Sequence, residues 1–332
     1  MSDSRQFPLI QKVRVNEGAF IVPDHIVRCS IIESADMSGT KLILELYDPV
    51  AAYRDELKIK EGTELEVTYG DPGGRGGDIF IDTFVVMPPK FEDNIFHVEG
   101  FQRTCHQLKQ PVKTPTFFVE QTPEQILNRV LTGVKIECDT FNEYGTYHLN
   151  AGTSKSKLIR TMARDYGAIA YYSRGSIYFK SVPQLKKRKF ELSFEHQNPD
   201  AEISISSFRL QDQTYMYDRL LNRMYARWDT EEGLQVARAG GENGFVMISP
   251  PFLSALDNQN ITLIPVMWAT TLGNTQIQPG LPCKVVFHLS NKERVIDEAL
   301  PEKQYIQQVT HYQEGSRYLC LTGLGVFNES RK

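Results

Sequence analysis

Apolar and polar residues alternate along the first hundred positions. Gln11–Asn16 and Ile26–Ile32 carry β-branched alternating runs, and Lys41–Tyr47 alternates charged with aliphatic side chains. Glu64–Tyr69 (ELEVTY) alternates without a break, and Ile79–Val86 and Asn94–Phe101 continue the series. A period of two puts neighbours on opposite faces of a strand, so these short runs, parted by Gly, Pro and Asp turns, predict an antiparallel barrel or sandwich. The one interruption, Asp48-Pro49 followed by VAAYRDEL, reads as a short helix capped by Asp with Pro at its first position.

The period changes after Gln102. Thr122-Pro123-Glu124-Gln125 is a capping box, followed by ILNRVL and Gly133. A second helix starts at Thr153 or Ser154, with Leu158, Ile159, Met162, Ala163 and Tyr166 at spacings of three and four, and Gly167 ends it. AIAYY and SIYFK then flank Ser173-Arg174-Gly175 as a hairpin, and Lys186-Lys187-Arg188-Lys189 closes the unit. Alternation resumes in Glu202–Leu210, Leu220–Trp228, Leu234–Ala239, Phe245–Ser249, Ile261–Thr271, Cys283–Leu289, Gln304–Tyr312 and Arg317–Gly323. Glu314-Gly315-Ser316 joins the last two as a hairpin. The expected organisation is a first β-barrel over 1–105, a small α/β insert over 106–190, and a second β-barrel over 191–332.

Two stretches resemble each other. Gly62–Tyr69 lies over Gly280–Phe287, Phe80–Phe84 over Tyr305–Val309, and Phe96–Phe101 over Leu319–Leu324, in the same order and at similar spacing. The pattern suggests a duplicated small barrel. A homotrimer of such a chain presents six similar barrels, a ring with approximate six-fold symmetry, and ring closure removes exposed sheet edges.

Composition narrows the function. The chain has 332 residues, 41% apolar and 23% charged, enough for two or three packed domains. Its net charge of −4 argues against a protein whose main task is gripping nucleic acid, though not against one that lets it pass. No secretory signal and no membrane-length apolar run is evident. The five scattered cysteines, without a CxxC pair, read as reduced thiols.

Candidate chemistry is sparse. Cys105-His106, read as strand neighbours, would point to opposite faces. Ser154-x-x-Lys157 lacks companion motifs and reads as a helix cap. The Gly-rich stretch Asp71–Asp78 ends without GK[ST] and joins strands, so Gly73, Gly74, Arg75, Gly76 and Gly77 read as a hairpin tip or a contact loop against a neighbouring subunit. Its two aspartates are weak grounds for a cation. The seven dispersed histidines give no metal spacing. Lys186, Lys187, Arg188 and Lys189 read as a solvated linker, or as a contact run for an acidic partner or a phosphate backbone. No catalytic residue, metal or cofactor is expected.

Tyr47–Asp71, Thr122–Leu131, Ser154–Lys180 and Pro279–Phe287 with Tyr305–His311 together resemble the contractile-tail baseplate hub family. That family includes the N-terminal part of VgrG spike proteins and the phage late-control protein D group. The resemblance spans most of the chain in the family's order and leaves residues 211–278 unmatched. It implies a non-enzymatic homotrimeric hub that adapts a six-fold tail tube to a three-fold central spike and leaves a channel for DNA passage. The implied partners are a separate spike protein, a tube or tube-initiator protein and baseplate wedge proteins, with no membrane. The implied place is the virion baseplate, assembled in host cytoplasm. Two other readings remain open: a host-surface or cell-wall carbohydrate binder, since aromatic residues make up 11%, and a cell-wall hydrolase.

Overall fold

The computed structural model describes residues 8–73, 77–198, 200–211, 223–237, 245–288 and 300–328. The first seven strands are β1 (Ile10–Val15), β2 (Ile26–Ser34), β3 (Lys41–Tyr47), β4 (Glu64–Gly70), β5 (Ile79–Val86), β6 (Lys90–Glu92) and β7 (Ile95–Gln102). They pair in the order β1-β4-β5-β7-β3-β2, with β6 on β7. The last part of the chain holds β13 (Leu192–His196), β14 (Ile203–Leu210), β18 (Leu263–Leu272), β19 (Pro282–Phe287), β20 (Lys303–Glu314) and β21 (Arg317–Phe327). These pair in the order β13-β19-β20-β21-β18-β14, and a parallel β13·β14 pair closes them into a six-stranded barrel.

The two orders are the same when strands are matched by rank along the chain, so the duplication is one of connectivity. Gly62 and Gly280 hold the same place in it. Both have positive φ, +83° and +80°, and each leads its strand. The Gly62 amide donates to Val86 and the Gly280 amide to Ile306. Main-chain pairing therefore sets Val86, not Ile81, against Ile306. Opposite these stand Gly100 and Leu324, one residue past Gly323. The sequence match of these two segments was out of register by odd shifts, which set exposed Ile81 against buried Ile306, so it followed residue likeness and broke the alternation of faces that main-chain pairing restores.

The copies differ at one seam. In the first, β1 and β2 do not pair among the described residues. The turn after β1 folds back over it instead, with Ile21 donating to Val13 and Val15 to Ala19. The outer edge of β2 runs antiparallel to β20 from Arg28 opposite Glu314 to Ser34 opposite Gln308. That joint makes the two barrels one continuous sheet over a shared core that includes Ile31, Leu44, Phe84, Phe194, Ile306 and Leu324.

Between the barrels lies the insert: β8 (Thr116–Gln121) with β10 (Gly145–Leu149), and β9 (Lys135–Cys138) parallel to β12 (Ser176–Ser181), which pairs with β11 (Ala168–Ser173). Of the helices, α1 (Ala52–Asp55) precedes it. Then come α2 (Arg103–Lys109), α3 (Pro123–Val130), α4 (Lys155–Asp165) and α5 (Val182–Lys187). The insert has its own core, with Ile126, Leu127, Ile159, Met162 and Phe179 buried. A second small sheet, β16 (Gly233–Val236)-β15 (Met224–Asp229)-β17 (Phe245–Met247), and the turn-length α6 (Ala255–Asn258) occupy the stretch between β14 and β18.

Most expected elements are present among the described residues; residues 220–222, 238–239 and 289 of the expected strands lie outside them. The Thr122 capping box forms in both directions, and Ser154 Oγ accepts from the Lys157 amide at 3.4 Å. Three readings are corrected. Asp48 caps α1 through the amides of Ala52 and Tyr53 at 2.6 and 3.0 Å, but Pro49 lies in the turn before it, and Ala51 at φ +56° makes the entry. Residues 103–109 are helical, so Cys105 and His106 are about 100° apart on a helix rather than alternating on a strand. β13 was not anticipated.

Candidate interaction site at the barrel junction

The tip of the β11–β12 hairpin is a two-residue turn, Arg174-Gly175, with φ of +47° and +84°. Positive φ at both positions gives the hairpin the twist of its strands, and Asn or Asp with Gly usually supplies it. An arginine here carries backbone strain, and its side chain shows what holds it there. The Arg174 guanidinium is 6% exposed and lies 3.5 Å from Glu33 Oε2 on β2. It also donates to the Ile277 carbonyl at 3.4 Å and covers the Phe80 ring at 4.3 Å. Ser173 Oγ donates to Glu33 Oε1 at 2.7 Å. On the far side, His311 Nε2 of β20 stands 3.5 Å from Glu33 Oε2, an ion pair without hydrogen-bond alignment. His311 Nδ1 meets Tyr318 Oη at 2.7 Å and Cys320 Sγ at 3.3 Å, both on β21.

Glu33, His311 and Cys320 are all within 1% of full burial. Burial alone would drive the Glu33 carboxyl up, but Arg174, His311 and the Ser173 hydroxyl outweigh it and hold it at about 2. Burial likewise opposes charge on His311, while Cys320 and Glu33 raise it to about 9. Cys320 is lowered despite its burial because His311 faces it. A Cys–His–Glu row suggests nucleophilic chemistry. These side chains are sealed at the meeting of both barrels and the insert, so what the row does here is bind three pieces of chain together.

A second buried carboxylate repeats the arrangement. Asp82 on β5 accepts from Tyr69 Oη at 2.9 Å, Tyr172 Oη at 3.1 Å and Gln102 Nε2 at 3.3 Å. Burial raises it against those three hydrogen bonds. Tyr172, Ser173 and Arg174 are consecutive, so one hairpin tip engages the first barrel through Asp82 and the interbarrel strand pair through Glu33. At the next joint, Tyr171 packs on Gly280, where an added Cβ would stand 2.4 Å from its hydroxyl.

The residues singled out in the sequence lie elsewhere. Gly74, Arg75 and Gly76 fall outside the described residues; Gly73 and Gly77 are exposed. Asp71 is buried and Asp78 exposed. Lys186 and Lys187 end α5, and the whole basic run is exposed. Part of it is structural: Lys186 Nζ donates to the Asn328 carbonyl at 3.2 Å, and Arg188 stands 3.6 Å from Asp139. The carbonyls of Lys186 and Arg188 both accept from Lys303 Nζ. Cys105 is buried, its thiol pushed up to about 12 by burial, while His106 meets Gln110 at 3.1 Å. Among the described residues no three His, Cys, Asp or Glu side chains gather as metal ligands, and no helix is long and apolar enough to cross a membrane. Beside the junction, Lys157, Arg160 and Arg164 of α4 line a groove of about 600 Å³ shared with Asp36 and Gln307.

The junction residues were not singled out because they are far apart in sequence. The available signal was a charged side chain on the inward parity of β2, where Cys29, Ile31 and Glu33 share a face.

No family model matches the chain, and no curated protein matches it. Solved structures do. The 43 kDa tail protein of prophage MuSo2 from Shewanella oneidensis is 13% identical, with 94% of this chain covering 97% of that one at a TM-score of 0.65. The tail protein from Neisseria meningitidis MC58 is 11% identical, 95% against 96%, at 0.67. The E. coli c3393 protein is a component of the type VI secretion system, described as structurally similar to the T4 bacteriophage tail proteins gp27 and gp5. It is 12% identical, 97% against 78%, at 0.54. The chain thus has the fold of phage tail and type VI secretion proteins, mainly β, with one closed six-stranded barrel and a first sheet of the same strand order.

Proposed function

We propose that the chain is a non-enzymatic structural hub of a contractile phage tail or related injection machine. It works as a homotrimeric ring that adapts a six-fold tube to a three-fold spike and leaves a channel for DNA. The observation that carries the reading is the duplicated strand order, joined in one chain by β2·β20. Two like barrels per chain convert three subunits into six similar units, so a three-fold partner and a six-fold partner can dock on the same body. The fold shared with tail proteins over nearly the whole chain supports the same reading. The partners are a central spike protein, a tube or tube-initiator protein and wedge proteins, and the place is the virion baseplate. On this reading the domains run 1–105, 106–190 and 191–332. The exposed Gly73 and Gly77 and the exposed part of Lys186–Lys189 are candidates for contact with neighbours.

Among the described residues eight tyrosines, including Tyr69, Tyr171 and Tyr318, are buried. This favours packing over sugar stacking as their role. The test is the mass of the purified protein in solution, alone and with the candidate spike protein. Three chain masses in either condition is the expected result. A monomer in both, at high concentration, counts against the hub.

A further inference from the structure

The joint inside the chain predicts a joint between chains. Main-chain pairing fixes the equivalence. Ile31 of β2 stands opposite Leu42, which stands opposite Gly100. Leu210 of β14 stands opposite Met267, which stands opposite Leu324. Gly100 and Leu324 are already matched through Gly62 and Gly280. Leu210 is therefore the second-copy Ile31, and Phe208 the second-copy Cys29.

Burial separates these matched positions. Cys29 and Ile31, on the strand that pairs with β20, are 1% and 0% exposed. Phe208 and Leu210 are 41% and 52% exposed. β13 pairs with β14 only at Ile203–Ile205. Beyond that, on the side away from β18, no main-chain partner is present among the described residues. The complementary edge has the same asymmetry. The stretch of β20 that receives β2 corresponds to β6 in the first copy, and both hairpins turn through two residues, Asp93-Asn94 and Gly315-Ser316. Counted from the base of the hairpin Phe91 takes the place of His311, and counted from the tip it takes the place of Gln313. Those two are 1% and 5% exposed, while Phe91 is 39% exposed.

We infer that β14 of one copy pairs antiparallel with β6 of the next, repeating between chains the β2·β20 joint within the chain. The occupant of each edge is a second copy of this protein. Resting on the homotrimer proposed above, the inference adds which edges meet. The joint is head-to-tail, because the edge left on one barrel differs from the edge left on the other. Such contacts close into rings or run on as filaments. Charge selects the register. Counting from the base sets Arg209 against Glu92 and Leu210 against Phe91, whereas counting from the tip sets Arg209 against Lys90. Like charges directly opposite one another are unfavourable, so the base register is assigned. Pro88 and Pro89 cannot donate, and they bound the joint at the end away from the turn.

The test uses the full chain carrying two paired substitutions, Phe91→Cys with Leu210→Cys, and separately Phe91→Cys with Phe208→Cys. Each is oxidised mildly, alone and with the candidate spike protein, beside wild type and the single variants. All three positions are exposed, so melting curves matching wild type should show that the variants fold. The expected result is an interchain ladder on a non-reducing gel that stops at three chains and is strong for Leu210→Cys. A stronger ladder for Phe208→Cys overturns the assigned register and supports the edge pairing. A trimer by mass with no disulfide in either pair overturns the joint and leaves the trimer standing. A wild-type monomer in both conditions overturns the trimer and the joint together. A ladder running past three chains supports the edge pairing and overturns the closed ring.

Discussion

Replacing Glu33 by Gln should be among the most damaging isosteric changes in this protein. The substitution keeps the shape and removes the one negative charge between Arg174 and His311. Both cations are almost fully buried, at 6% and 1% exposed. Breaking a buried ion pair from one side costs about 3–5 kcal/mol, because the surviving charge stays desolvated. Two features set the lower end of that range. Arg174 keeps the Ile277 carbonyl and the Phe80 face, and His311 can discharge by losing its proton. The expected loss is about 3 kcal/mol, measured by urea denaturation near pH 6. Amide exchange should locate it: protection should fall in the β11–β12 hairpin and along β2·β20 before the rest of the sheet. Adding Arg174→Met should recover part of the loss, since an apolar side chain replaces the orphaned cation. A loss under about 1 kcal/mol with unchanged exchange at the hairpin would mean that the Glu33 cluster does not hold the junction.

His311 is raised from 6.5 to about 9, so its stabilisation is complete below pH 6.5 and is lost as pH rises through 9. Glu33 is lowered from 4.5 to about 2, so its contribution is present above 4.5 and is lost as pH falls through 2. The Glu33–His311 contact enters both shifts, but Arg174 is the larger cause for Glu33 and Cys320 the larger cause for His311. As far as Glu33 and His311 are concerned, stability should be greatest near pH 4.5–6.5 and should fall towards pH 9, a fall that the lowered Cys320 thiol offsets in part. A denaturation series at fixed ionic strength checks this, and a flat profile in wild type would contradict it. Gly62→Ala and Gly280→Ala make a matched pair. Both positions have left-handed φ, which should cost about 1–2 kcal/mol. Nothing lies near Gly62, but at Gly280 the Cβ would collide with Tyr171. Gly280→Ala should therefore cost about 1–3 kcal/mol more, readable as a melting temperature lower than that of Gly62→Ala.

The strands of the first barrel were legible because one face is buried and the other wet. β3, with Leu42, Leu44 and Leu46 inward between exposed or half-buried neighbours, shows the rule that made them so. β13 was missed because only Leu192 and Phe194 of its five residues face the core, and its parallel partners lie elsewhere in sequence. α2 was missed because its cap is the Gln102 side chain, which accepts from the Cys105 amide, and Gln carries no capping signature. The Glu33 cluster was illegible for another reason. Glu33 and Arg174 are 141 residues apart, and neither sits in a motif. Their meeting depends on how the insert docks, which no local period encodes.

The seam that separates the two copies bears on how an assembly could form. After β13 the chain returns as β14 parallel to it, and the barrel shuts. The ten residues between β1 and β2, 16–25, instead fold over the outer edge of β1, with Arg14 bridged to Phe20. Gln313 of β20 then accepts from the Ile10 amide at 2.8 Å, so the open end of the first barrel is finished by the second. One copy thus closes on itself, and the other closes on its neighbour in the chain. The edge of β1 is covered by its own turn, which takes it out of competition for partners. Among the described residues, β6 and the stretch of β14 beyond Ile205 each keep an edge without a strand partner. One is three residues long and follows two prolines, and the other carries Phe208 and Leu210. Short, proline-bounded edges resist indiscriminate strand addition. A joint that needs Phe91 to meet Leu210 in one register is correspondingly selective for another copy of this chain.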